Sequence, residues 1–340
     1  MIDLRTDAIS RPTEEMWAAM RDAEPGWAYV GENASVNELT RLGADLLGKE
    51  AALLLPTCSA ANLVALLALG EPDAEILLDP TCHVATSEAR GFETVAGLVE
   101  RSIPVHDGCP EPAAIEGACA EARRAGRRPG VLCLENTHNN AGGVAVPADR
   151  LFAVASVAHR HGARVHLDGA RLLNAAVALG VPAARFTDGA DTVSLSLGKG
   201  LCAPGGALLA GSRAVVERAR AGAQRVGAGS LHKSGVLAAA GIVALKSMVD
   251  RLADDNRRAR TLADGLARLP GLQIDLASVQ TNIVVVDVRP PLDADTLLAR
   301  LATRGVLGYK RSTTRVRFVT HRTIGDAEIA QTVAAAAASL

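Results

Sequence analysis

From residue 50 onward the chain alternates short runs that are apolar throughout with longer segments of helical period, and this alternation restricts the fold more than any other feature. AALLL (51–55), EILLD (75–79), VLCLE (131–135), RVHLD (164–168), TVSLS (192–196) and GALLAG (206–211) read as strands. Between them, SAANLVALLAL (59–69) and ADRLFAVASVAHRHG (148–162) carry apolar residues at helical spacing. A strand without a polar face must be covered on both sides, so the pattern predicts an α/β chain with a mostly parallel sheet flanked by helices. The crossover rule places successive strands side by side, with their carboxyl ends along one edge.

After residue 235 the pattern changes. A long helical stretch (235–268) is followed by LQIDL, TNIVVVDV, a Pro-Pro turn at 290–291, a helix around DADTLLARLATRG, the strand RVRFVTH and a final helix. This predicts a large domain over 1–240, its first residues (to about position 15) forming an arm, and a smaller α+β domain over 241–340. Aromatic residues make up only 2% of the chain, so the core must be built from Ala, Val, Leu and Ile. A formal net charge of −1 with no long run of either sign argues against a nucleic-acid or membrane partner. The six cysteines show no C-x-x-C pair and no zinc-like spacing, so no metal site is expected. MIDLRTDAIS has no apolar stretch of the kind a signal peptide needs, and no run is long enough to span a membrane. The expectation is a cytoplasmic protein with reduced thiols.

Each strand leaves the core into a polar cluster: Thr57-Cys58-Ser59, His83, Glu135-Asn136, Asp168 with Arg171, and Gly198-Lys199. Ligands of open α/β sheets bind outside the carboxyl ends of the strands, so these clusters predict one cleft. Among five lysines, Lys199 alone sits in a Gly-rich turn, LGKGLCAPGG, where backbone can approach a flat ligand. A lysine amine can hold an aldehyde cofactor as a Schiff base. Asp168, ending an apolar strand, needs a buried partner, which a protonated ring nitrogen supplies and which Arg171 would also supply. Backbone N–H groups at Cys58 and Ser59 suit a phosphate, although a hydroxyl before a helix serves equally as an N-cap. His83 suits stacking or proton transfer, or a purely structural place. Arg317 suits a substrate carboxylate, or solvent. GSLHKS (229–234) lacks the glycine before Lys233 that a P-loop carries.

Taken together, the chain resembles the low-specificity L-threonine aldolases of the β-eliminating lyase group, fold-type I enzymes dependent on pyridoxal 5′-phosphate (PLP). The resemblance runs from DLRTDAISRPT (3–13) through GENASVNELTRLGADLLGKEAALLLP (31–56). It is strongest at LENTHNNAGG (134–143), HLDGARLLNAAVALGV (166–181) and LGKGLCAPGG (197–206), and closes at RFVTH (317–321). It implies that Lys199 carries the cofactor, that Asp168 meets the pyridine nitrogen and that His83 stacks on the ring near the substrate hydroxyl. Arg171, Arg317 and Thr6 would hold the α-carboxylate, while Cys58 and Ser59 stand where the family places Gly and Thr for the phosphate. It also implies homotetramers with shared active sites, and cleavage of a small β-hydroxy-α-amino acid to glycine and an aldehyde. The chain departs from the family pattern in having no second histidine before LENTHN, Val30 for a tyrosine, Gly198 for a serine, and His232 or Lys233 near an expected arginine. Those departures keep a different PLP reaction open: β-elimination, transaldolation or racemisation.

Overall fold

The computed structural model describes residues 1–229 and 231–340. Its central sheet has seven strands: β1 (Ala51–Leu55), β2 (Glu75–Leu78), β3 (Val99–Ser102), β4 (Pro129–Glu135), β5 (Arg164–Asp168), β6 (Thr192–Ser196) and β7 (Ala207–Gly211). They lie in the order β1-β7-β6-β5-β4-β2-β3. Only β7 runs against the rest, pairing antiparallel with β1 and β6. The mostly parallel sheet is as expected, but β1 and β2 are not neighbours; β1 is at one edge and reaches β6 only through β7. Strand β3 was not foreseen, because VERS is polar along an edge, where Arg101 pairs with the buried Glu75 of β2. The six expected strand segments all form.

Helices cover both faces, as the two-sided apolar strands require. One core contains Leu54, Leu132, Leu134, Leu167, Val193 and Leu195. The other contains Leu53, Leu55, Ile76, Leu78, Val131 and Cys133. Successive side chains of one strand thus enter opposite layers. Helix α1 (Cys58–Leu69) follows β1 and is almost wholly buried on its inner side.

The expected helix over 235–268 is two helices, α2 (Ser234–Ser247) and α3 (Leu252–Leu266), with Met248–Arg251 between them. The division expected at 240/241 falls within α2, and the core beneath the large sheet takes in Ala238, Ala240, Val243 and Ala244 of α2, then Met248, and Leu252 at the start of α3. The smaller unit has its own core, including Leu262, Leu266, Val284, Val286, Val316 and Phe318. It is built on a four-stranded antiparallel sheet, β8 (Leu272–Gln273), β9 (Ile283–Val288), β10 (Tyr309–Lys310) and β11 (Arg315–Val319), in the order β8-β9-β11-β10. The Pro290-Pro291 pair is the turn after β9.

The amino-terminal arm belongs physically to this smaller unit. Ile2–Asp3 pairs with Val306–Leu307, Val319 N–H donates to the Leu4 carbonyl at 2.8 Å, and Leu4 is fully buried in the small core. The chain then crosses to the large sheet, carrying Thr6, Asp7 and Ser10 into the cleft. Replacing Leu4 by Ala leaves a cavity in the small core and is expected to cost about 2–4 kcal/mol. Urea unfolding would show this as a lowered midpoint at unchanged slope; an unchanged midpoint would mean that the arm is not docked.

Candidate active site

The glycine of Asp168-Gly169-Ala170-Arg171 exists because β5 and β6 come so close there. A Cβ on Gly169 would lie 2.5 Å from the Ser194 carbonyl oxygen. The tight turn lets Ala170 N–H donate back to Asp168 Oδ1 at 3.0 Å. Asp168 is buried and also accepts from Asn62 Nδ2 at 2.8 Å. Burial favours its neutral form, but the charges of His83 and Lys199 and the Ala170 N–H outweigh burial, holding the carboxyl below its usual range.

Lys199 follows β6 in a loop whose carbonyl accepts from Ser10 Oγ of the arm at 2.8 Å. The return to β7 passes through Gly206 at φ +93, a left-handed conformation that favours glycine. Lys199 acts electrostatically on Asp168, Asp7, Cys58 and His83, yet forms no ion pair with either acid. Lys199 and Asp168 are therefore near one another without pairing.

His83 begins a single helical turn after β2, and its backbone N–H donates to Glu135 Oε2 at 2.7 Å. Its ring Nδ1 lies 3.0 Å from Glu88 Oε1, and this hydrogen bond raises the imidazole above its ordinary value despite partial burial. Asn62, in the second turn of α1, donates to Glu88 Oε1 at 2.9 Å as well as to Asp168. His83, Glu88 and Asp168 offer ligand atoms within 4.8 Å of one another. Both acid oxygens facing Asn62 already accept its amide hydrogens, so the trio is a hydrogen-bonded array rather than a cluster of open lone pairs.

Thr57 caps α1 by accepting from Ala60 N–H at 3.0 Å, which leaves the first-turn N–H groups of Cys58 and Ser59 for an anion. Cys58 does more than hold the turn: its thiol lies 3.5 Å from Ser194 Oγ and 3.9 Å from Asp168 Oδ1. Burial, with Asp168 adding to it, pushes this thiol up to about 12, so it stays protonated.

The opposite wall is cationic. Arg171 gives Nε and Nη2 to Asp7, each at 2.7 Å, in a buried bidentate pair, which leaves the second Nη2 hydrogen and those of Nη1 for a ligand. Arg317 on β11 is buried; Nη1 reaches Asn139 at 2.8 Å and Nη2 the Arg5 carbonyl at 3.0 Å, while Nε has no partner among the described residues. Burial, then Arg171 and Arg311, push its guanidinium down to about 10. A buried cation repelled by two others and holding a spare N–H is a site for an anion. Thr6 stands beside them on the arm, its hydroxyl accepting from Ala8 N–H at 3.2 Å.

The structure thus brings Thr6, Cys58, His83, Asp168, Arg171, Lys199 and Arg317 to one edge of the sheet, with Ser59 on the first turn of α1. Sequence reasoning missed Asp7, Asn62, Glu88 and Ser194. The one available signal was Asn62, an amide inside an otherwise apolar helix. The stretch that lacks the family's second histidine, ARRAGRRPG (122–130), leads into the amino end of β4, at the opposite edge of the sheet from Lys199 of the same chain. Ser230, within the segment read against a P-loop, lies outside the described residues.

Comparison with known proteins identifies the chain's relatives. The Beta-eliminating lyase family model matches residues 3–289. A probable low-specificity L-threonine aldolase 2 of Arabidopsis thaliana is 37% identical over 334 residues, covering 96% of this chain and 94% of that protein. The low specificity L-threonine aldolase of Escherichia coli K12 is 35% identical over 343 residues, covering 98% of each. Among solved structures, a threonine aldolase of Leishmania major superposes with TM-score 0.83 at 21% identity, covering 99% of this chain and 98% of that one. A serine palmitoyltransferase of Sphingomonas wittichii superposes with TM-score 0.80 at 16% identity, over 99% of this chain and 86% of that one. Those two likenesses carry the fold, which is fold type I, and the closer sequence relatives carry the lineage: the chain belongs to the β-eliminating lyase family, among its low-specificity L-threonine aldolases.

Proposed function

We propose that this chain holds PLP on Lys199 and cleaves an L-β-hydroxy-α-amino acid, such as threonine, allo-threonine or a bulkier analogue, to glycine and an aldehyde. The observation that carries this reading is that Lys199 lies near the ionised Asp168 without pairing with it, with His83 and the Asp7–Arg171 pair close by. The residues present fit the cofactor. Asp168 keeps a lone pair for a ring nitrogen, and the N–H groups of Cys58 and Ser59 stand free at a helix start. Bound there, PLP would supply the sink for the electron pair released when a bond to Cα breaks.

The chain's own groups supply position and proton handling. Arg317, through its spare Nε, and Thr6 hold the α-carboxylate, with Arg171 contributing its remaining edge while Asp7 fixes its plane. Fixing the carboxylate sets which Cα bond stands perpendicular to the cofactor ring, and this positioning selects the bond that breaks. His83, with Nδ1 committed to Glu88, turns Nε2 toward the substrate hydroxyl and takes its proton. The six cysteines are free, which supports a reducing, cytoplasmic location, and among the described residues no helix is long and apolar enough to cross a membrane.

We also infer a homo-oligomer. In a chain with only two Trp and two Tyr, Trp27 is 63% and Tyr29 is 52% exposed, and both line a cavity of about 920 Å³ with Val30, Leu231, His232 and Lys233. Aromatics held out in this way suit a second copy of the chain, whose phosphate site would then receive His232 or Lys233.

Incubating the PLP-loaded protein with L-threonine, L-allo-threonine and phenylserine should release glycine and the matching aldehyde in equal amounts. Formation of pyruvate, or of the D-amino acid, with no aldehyde would replace the aldolase reading with elimination or racemisation. Replacing Trp27 by Glu should reduce the assembly measured by light scattering and weaken PLP retention by at least about tenfold, the effect of a lost interface anchor. An unchanged mass with unchanged retention would refute the shared site.

A further inference from the structure

Resting on the reading that PLP lies between Lys199 and Asp168, we infer that Asn62 is a positioning residue that holds, with one amide, both the carboxylate serving the ring nitrogen and the carboxylate orienting the imidazole on the ring face. Asn62 is 1% exposed, and all its capacity is used by four neighbours. Nδ2 donates to Asp168 Oδ2 at 2.8 Å and to Glu88 Oε1 at 2.9 Å. Oδ1 accepts from Ser194 Oγ at 2.7 Å and lies 3.0 Å from His166 Nε2.

These partners fix the orientation of the amide. Turned over, it would put an acceptor oxygen between two carboxylate oxygens and leave Ser194 and His166 facing N–H groups. His166 is fully buried, and burial pushes it down to about 4, so it is neutral. One ring hydrogen must then sit on Nε2 to reach Asn62, leaving Nδ1 to accept from Thr192 Oγ1 at 2.9 Å. Donors from β5 and β6 thus converge on the Asn62 carbonyl, and its two hydrogens pass that polarisation to the two acids.

The groups facing this amide are Cys58 on its own helix, Asp168 and His166 on β5, Glu88 with His83 beyond β2, and Lys199 after β6. Cys58 and His166 are uncharged, while Asp168 faces the amide as a carboxylate. Glu88 Oε1 is also the oxygen that receives His83 Nδ1. One side chain therefore sets the proton affinity at both working positions, the edge of the ring and its face.

Asn62→Leu keeps the shape and removes both hydrogens. Two readouts need no substrate: the NMR titration of His83 in the cofactor-free chain, and the nitrogen-15 NMR signal of the ring nitrogen in the chain loaded with labelled PLP. Each acid loses a hydrogen bond to a charged group and becomes a stronger base. The His83 midpoint should rise by about one pH unit, and the ring-nitrogen signal should move toward its unprotonated position as Asp168 draws the proton. Ser194→Ala, which removes only a donor into the Asn62 carbonyl, should move both readouts in the same direction by less, and serves if the leucine variant does not fold. If both readouts stay at wild-type values, or only one moves, Asn62 is merely structural or serves one acid, and the inference falls. A wild-type chain that takes up no PLP would instead overturn the functional reading, a result distinct from unmoved signals in a loaded variant.

Discussion

An ionised carboxylate deep in a protein costs several kcal/mol unless other groups replace the water it has lost, and Asp168 is such a group. Much of the architecture around it serves that replacement. The close approach of β5 and β6 requires Gly169, whose turn delivers the Ala170 N–H. Helix α1, following β1, delivers Asn62 and the Cys58 thiol. His83 and Lys199 supply charge from the ends of two other strands. Lys199 stands near the carboxylate without pairing with it. In the proposed reading, a flat ring with a protonated nitrogen would complete the set.

The substrate side of the cleft depends on a second buried pair. Asp7 and Arg171 come from positions 164 residues apart and meet because the arm crosses from the smaller unit to the large sheet. Asn282, just before β9, donates to the same Asp7 carboxylate at 3.1 Å, so the smaller unit, the arm and the large sheet share one charge centre. Burial favours protonated Asp7, but Arg171 and Lys199 outweigh it and keep its pKa well below the carboxylate range. Its contribution to stability is therefore present above the ordinary pKa of an aspartate and is lost as pH falls through the lower folded value. Arg317 then joins Arg171 on a wall where positive charge exceeds its protein partners.

What could be read in the sequence was local. Apolar strands ending in Asp168, His83 and the Lys199 turn announced themselves, because period and punctuation are properties of short segments. The order of the sheet was not legible, since neither length nor composition says that β1 reaches β6 only through β7. Strand β3 hid behind two charges, Glu100 and Arg101, which an edge position tolerates. Glu88 and Asp7 carried no local mark, because each gains its role from a partner brought in by tertiary packing. The LENTHNN segment, so distinctive as a motif, turns out to be chiefly a structural clamp: Asn136 pairs with the Val146 backbone in both directions at 3.0 Å, and His138 Nε2 lies 2.8 Å from Asp79.

The proposed chemistry requires Lys199 and Asp168 to grip opposite ends of one ring. Borohydride reduction of the PLP-loaded protein, followed by peptide mass mapping, tests it most directly. The added cofactor mass should appear on the peptide containing Lys199, and be absent from those containing Lys49, Lys233, Lys246 and Lys310. Label on any other lysine, or on none, would contradict it.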